Sequence, residues 1–141
     1  MLLYLLDTDH LSLIERDHPQ ITARFNQTER DLMAASVISF EEQMRGWLAE
    51  VRYAQTKANV EQMLVAYERL CRAQEAYCGL RLLPFTATDF ALYEQLRKKH
   101  RHVGKMDLRI AATALTRDLT LVTRNTKDFI DIENLRLENW A

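Results

Sequence analysis

The stretch Leu2–Ser12, LLYLLDTDHLS, decides the fold class. Five apolar residues carry the chain to Asp7 and Asp9, and an apolar run of that length closed by carboxylates reads as a short strand buried on both faces. Such a strand ends at the rim of a parallel sheet, where α/β enzymes hold their charged groups. Asp7 has a second reading, as the N-cap of a short helix that continues through Leu11 and Ile14. This stretch alone leaves both readings open.

Working outward, the same pattern recurs. Pro19, with Ile21 and Phe25 at i, i+4 spacing, marks a second short helix, and NQTERD a loop. LMAASVISF reads as a second buried strand that includes Val37 and Ile38, with Ser39 capping a helix whose first turn holds Glu41 and Glu42. Helical spacing then runs from Met44 through Trp47, Leu48 and Val51. A longer helix follows with Val60, Met63, Leu64, Tyr67, Leu70, Cys71 and Cys78 on one face, stopped by Gly79, and this apolar stripe reads as core or subunit interface. LRLLPF is a third strand, and Thr86 with Asp89 fits a capping box for the next helix. After Gly104, KMDLRIAATALT is a helix whose small residues allow close packing on a sheet; LTLVT is a fourth strand ending at Arg124 and Asn125; LRLENW is a fifth. Strands separated by helices throughout predict a mostly parallel sheet covered on both faces, in a single domain spanning residues 1–141.

Composition sets outer bounds. The chain has 141 residues, 48% hydrophobic and 28% charged, with a net charge of −1. Bulk charge therefore does not drive nucleic-acid binding, and any such contact needs a local patch. No apolar run approaches the roughly 20 residues of a membrane span. The N-terminus lacks the basic flank and cleavage site of a signal peptide, so a cytoplasmic protein is expected. Cys71 and Cys78, seven apart on one predicted helix, stand roughly 10 Å apart along its axis, too far for a disulfide. They are expected in the core of a reduced protein.

In a parallel sheet, strand C-termini and helix N-termini gather at one rim. Asp7, Glu42, Asp107 and Asn125 all fall there. Helix dipoles favour acids at such places one at a time, but a carboxylate or amide beside each of these strands, with no Ser, Cys or His nucleophile, points to a shared cation. Oxygen-only ligation suits Mg²⁺ or Mn²⁺, and the matching chemistry is phosphodiester hydrolysis. A basic run, RKKHRHVGKMDLR from Arg97 to Arg109, holds six Lys or Arg and two His against one acid and leads into Asp107. It reads equally as a solvated helix C-terminus. Arg45, Lys105, Arg109 and Arg124 are candidate contacts to substrate phosphates; His100 and His102 read as surface residues.

In this order and spacing, YLLDTDHLS, VISFEEQMRG, VGKMDLRIAATA and LVTRNTKDF resemble the four motif regions of PIN-domain ribonucleases, and more narrowly of VapC-type toxins of bacterial toxin–antitoxin pairs. The resemblance covers nearly the whole chain. It implies a three-layer α/β/α fold with a central parallel sheet of four or five strands. It also implies a metal-dependent endoribonuclease leaving 5′-phosphate and 3′-hydroxyl ends, a homodimer, and a small antitoxin partner. Carried over by position, the catalytic and Mg²⁺ (or Mn²⁺) ligands are Asp7, Glu42 and Asp107. A fourth acid of the family falls on Asn125, an amide that either ligates through oxygen or holds a water. Asp128 is nearby, although Asn125 and Asp128 also fit a helix cap and its partner, and Thr123 offers a positioning hydroxyl. The alternative is a non-catalytic PIN-like module that binds RNA or an antitoxin. A haloacid-dehalogenase-type phosphatase, suggested by DTD, leaves Glu42 without a role.

Overall fold

β1 (Tyr4–Leu6) leads into α1 (Thr8–Glu15) and α2 (Pro19–Gln27), and β2 (Met33–Ser36) into α3 (Val37–Thr56) and α4 (Val60–Ala73). β3 (Arg81–Leu83) leads into α5 (Ala87–Lys99) and α6 (Lys105–Thr116), and β4 (Thr120–Val122) into α7 (Thr126–Phe129) and β5 (Leu137–Glu138). This computed structural model describes residues 1–141. The five strands form one sheet in the order β3-β2-β1-β4-β5, every pair parallel, so the first strand is the central one. The expected α/β/α architecture is present, with five strands.

Register explains why the strands lack polar alternation. Leu5 stands opposite Ala34 and Leu121, and Leu6 opposite Ala35 and Val122. By the two-residue period of a strand, the first set faces one side of the sheet and the second set the other. Leu5, Ala34 and Leu121 join Leu108, Ala111 and Phe129 in a cluster beneath α5, α6 and α7. Leu6, Ala35 and Val122 join Leu11, Ile21 and Phe25 beneath α1 and α2. Each fully buried leucine here contributes about 1.5–3 kcal/mol by leaving water. The small residues expected of α6 let it lie close to the sheet, and Ala111, Ala112 and Ala114 are fully buried.

The capping box at the start of α5 is present, and it does more than cap. Asp89 is fully buried; besides the Thr86 N–H it accepts hydrogen bonds from Thr116 and from both Nη atoms of Arg117, at 2.9 and 3.2 Å. These bonds pin the end of α6 to the beginning of α5 and make the two helices an antiparallel pair. Burial works to raise the Asp89 carboxyl, and the bonds from Arg117, Thr116 and Thr86 outweigh it and hold it below the ordinary range.

Three local expectations need correction. The second strand ends at Ser36, not beyond Val37 and Ile38, and Ser36 rather than Ser39 caps α3, its Oγ accepting the Ser39 N–H at 3.1 Å. Val37 and Ile38 are β-branched and apolar, and a buried strand and the first turn of a buried helix look alike in that composition. The apolar stripe of α4, expected as core or subunit interface, is mostly not core: Val60, Leu64 and Tyr67 are exposed, while Ala66 and Ala73 are buried. Only Met63 and Leu70 of that stripe join the small third core formed by Val51, Ala54 and Ala66 between α3 and α4. Finally, Cys71 and Cys78 are free but exposed, and Cys78 lies beyond α4 after a turn of 3-10 helix, Gln74–Tyr77. No helix is long and apolar enough to cross a membrane.

Candidate active site

β1 delivers Asp7 to the carboxyl rim with its backbone still in the ladder, the Asp7 N–H donating to Val122 O at 2.9 Å. Asp7 is only 5% exposed. Its Oδ1 accepts the Thr8 N–H at 2.8 Å, which makes it the N-cap of α1, and its Oδ2 accepts from the Thr123 hydroxyl at 2.8 Å. The capping and rim readings of Asp7 thus hold together: one oxygen caps while the other joins the loop after β4.

Glu42 comes from the second turn of α3 and is set by its neighbours. The buried Gln43 amide donates to Ser12 Oγ at 3.2 Å and its carbonyl accepts from the Tyr77 hydroxyl, clamping α3 against α1. Thr8 Oγ1 stands 2.9 Å from both Glu42 Oε1 and Ser39 Oγ. With one proton to give, Thr8 donates to the carboxylate and accepts from Ser39. Asp107 sits in the first turn of α6, whose N-cap is Gly104 with no side-chain cap bond. A Cβ on Gly104 would stand 3.7 Å from Asp107 Oδ2, so this carboxylate folds back over the helix start.

The acids feel one another. Burial raises the Asp7 carboxyl from 3.8 to about 7, the Asp9 and Asp107 charges adding to it against the Thr123 and Thr8 bonds. Burial likewise raises Asp107 to about 6, with Glu42, Asp128 and Asp9 contributing in that order. None of the ion pairs in the molecule engages Asp7, Glu42, Asp107 or Asp128. This concentration of negative charge without a matching cation, on oxygen donors alone, fits a hard divalent ion. No three of these side chains close on a single point as a ready-made ligand set. An ion that keeps several of its waters does not require that they do.

The other candidates divide. Asn125 occupies the N-cap position of α7 but makes no cap bond with its side chain; its Nδ2 donates to Asp128 Oδ2 at 2.8 Å and its N–H to Thr123 Oγ1 at 3.0 Å. The expected cap and partner therefore meet as an amide–carboxylate pair. Arg45 is tied to Glu41 at 2.8 Å. The Arg109 guanidinium lies 5.1 Å from the Tyr93 ring centroid and 3.5 Å from Met106 Sδ, within the α5–α6 packing. Arg124 is exposed. Lys105 lines a cavity of about 370 Å³ with Arg97, Lys98, His100, Arg101 and Val103, five basic or imidazole side chains in one depression.

Sequence reasoning gave no role to Thr8, Asp9 and His10. Asp9 Oδ2 accepts the Arg124 N–H at 3.0 Å and lies 3.4 Å from Thr123 Oγ1, while Oδ1 is 2.9 Å from His10 Nδ1. Burial works to raise Asp9, and the bonds from His10 and the Arg124 N–H outweigh it and keep the carboxyl below its ordinary range. The available signal was a histidine on the apolar face of α1, a position that requires partners for both ring nitrogens.

The chain matches the PIN domain family over residues 4–135. It is 28% identical over 142 residues to "Ribonuclease VapC1" of Haemophilus influenzae strain R2866, covering 99% of each chain. It is 27% identical over 147 residues to the "tRNA(fMet)-specific endonuclease VapC" of Shigella flexneri, covering all of both. Among solved structures, the DNA-bound VapBC of Salmonella typhimurium superposes with a TM-score of 0.81 at 26% identity, over the full length of both chains. With the family matched from the first residue of β1 nearly to β5, and with the parallel sheet and its acidic rim in place, the chain belongs to the PIN-domain family.

Proposed function

We propose that this protein is a divalent-metal-dependent endoribonuclease, the toxin of a toxin–antitoxin pair, with Asp7, Glu42 and Asp107 as its catalytic and metal-holding residues. The observation that carries the reading is the set of acids without an ion-pair partner from β1, α3 and α6 on one rim, two of them raised by burial and by the charge of neighbouring acids. The ribonuclease names of full-length relatives support the reaction class. Mg²⁺ or Mn²⁺ bound among these oxygens supplies Lewis acidity, acidifying water and neutralising charge that develops on the phosphate. The chain's own residues do the rest. Thr8 and Ser39 orient Glu42, Thr123 orients Asp7, and Asp107 lies over the start of α6 beside Gly104. Once charged, the carboxylates accept hydrogen bonds from water at the rim. Asn125 and Asp128 contribute a water-holding pair at the edge.

Substrate phosphates meet Lys105 and the basic depression beside it, with Arg124 at the opposite loop. Arg45 joins them only by leaving Glu41, and Arg109 is committed to Tyr93. Substrate RNA, a cognate antitoxin, a homodimer and a cytoplasmic setting complete the proposal. A tRNA is the first substrate to try, because that is what the name of the Shigella relative specifies. The deciding experiment is incubation of total RNA with the purified chain in Mg²⁺, Mn²⁺ or EDTA, beside Asp7→Asn and Asp107→Asn. Discrete products that need metal and vanish in both variants support the reading. Equal inertness of all three proteins, with RNA or partner binding retained, replaces it with a non-catalytic module.

A further inference from the structure

The loop after β4 borders the acidic rim, yet at its N-terminal end, through Asn125, it brings an amide and no carboxylate, and that amide is occupied by Asp128. Another acid is fastened to this loop from outside. Asp9 Oδ2 takes the Arg124 N–H at 3.0 Å, its other oxygen faces His10 Nδ1 at 2.9 Å, and about a third of its side chain is exposed. Asp9 therefore bridges the segments following β1 and β4 and still reaches the open rim. We infer that Asp9 supplies a fourth carboxylate to the metal site and that His10 is the positioning residue that keeps it there.

The case for His10 rests on how completely it is specified. The ring is fully buried in the apolar layer under α1 and α2, where an unpartnered imidazole is costly. Both nitrogens are used: Nε2 accepts the Trp140 N–H at 3.2 Å, so the ring proton is on Nδ1 and is donated to Asp9. The donor to Nε2 comes from the far end of the chain, beyond β5. Trp140 is itself held, 7% exposed, with its ring 5.3 Å from that of Tyr4 in an edge-on arrangement. The tautomer, and with it the direction of the Asp9 carboxylate, is thus set by the C-terminal segment. Threonine 123 links this arrangement to Asp7, since its hydroxyl donates to Asp7 at 2.8 Å and stands 3.4 Å from Asp9.

This inference rests on the metal-site reading above, and the test separates the two. Mn²⁺ binding to the full-length protein is titrated calorimetrically, and each variant is melted in parallel. Asp9→Asn removes the charge and keeps the shape. His10→Gln retains an acceptor for the Trp140 N–H and loses the donor to Asp9, whereas His10→Asn retains a donor toward Asp9 and loses the acceptor. Asp9→Asn and His10→Gln are expected to weaken Mn²⁺ binding by about 10-fold or more, the scale on which residues supporting metal ligands act. His10→Asn is expected to keep the affinity and lose thermal stability instead. Wild-type affinity in Asp9→Asn or His10→Gln overturns the inference, as does a loss of affinity that follows melting temperature across both His10 variants. If Asp7→Asn also binds Mn²⁺ as wild type does, or wild type binds none, the metal-site reading itself fails.

Discussion

Replacing Asp7 by Asn should make the metal-free protein more stable while abolishing cleavage. The folded carboxyl titrates at about 7 against an ordinary value of 3.8, roughly three units. At about 1.4 kcal/mol per unit, the ionised form destabilises the native state by about 4 kcal/mol. Asp7 is buried, so solvent does not screen this away. Asn keeps the acceptor for the Thr8 N–H but sets an NH₂ group against Thr123, a loss of about 1 kcal/mol that leaves a gain of about 3 kcal/mol. For a chain of this length, that corresponds to a melting temperature about 10 °C higher. The sign follows from linkage. Because the folded pKa lies above the unfolded one, the native state binds the proton more tightly, and wild-type stability falls as pH rises from about 4 to 7. Near pH 4 the variant should therefore melt slightly below wild type, by its loss of about 1 kcal/mol at Thr123, then cross it as pH rises and reach a constant gap above about pH 7. Melting both in EDTA across that range is the assay. Equal melting temperatures at pH 7.5, or a gap that does not change with pH, would refute the electrostatic account of Asp7.

Arg117→Ala strips the fully buried Asp89 of its guanidinium partner and should cost about 3–5 kcal/mol in urea unfolding, with no direct effect at the acidic rim. Changing Lys98, Arg101 and Lys105 together to Ala should raise KM for RNA with little change in kcat. If all three meet single-stranded phosphates, it should also reduce the slope of log affinity against log salt by about 2; an unchanged slope would return this depression to the status of a solvated helix end. Cys71→Ser and Cys78→Ser should each shift stability by no more than about 0.5 kcal/mol, since both thiols are exposed, whereas a larger loss in unfolding experiments would mean that one of them packs against something in solution.

Sequence legibility followed how local each cause was. β1 and Asp7 were readable because a strand buried on both faces must be uniformly apolar, and the first residue to break the run marks the rim. α6 was readable from its alanines, and the Thr86–Asp89 capping box from spacing alone. The boundary between β2 and α3 was misplaced by three residues because Val37 and Ile38 suit either element, and only the Ser36–Ser39 hydrogen bond distinguishes them. Most of the apolar stripe on α4 is not core because burial there favours small size: Ala66 and Ala73 let the helix approach its neighbours, and the larger residues are turned outward. Asp9 and His10 were visible as letters but not as a pair with a task. Their partners are Arg124, more than a hundred residues away, and Trp140, and that proximity exists only once β1 lies beside β4.

That adjacency has a consequence for synthesis. The first strand to leave the ribosome is the middle strand of the sheet, and one of its two neighbours, β4, is made only after residue 119. Until then Asp7 lacks the Val122 carbonyl and the Thr123 hydroxyl, and His10 lacks the Trp140 N–H that sets its tautomer. A nascent chain whose β4 has not yet emerged holds its acids on an unfinished rim. The rim that β1 begins is therefore finished by β4 and the residues after it, not by the segment that carries its first acid.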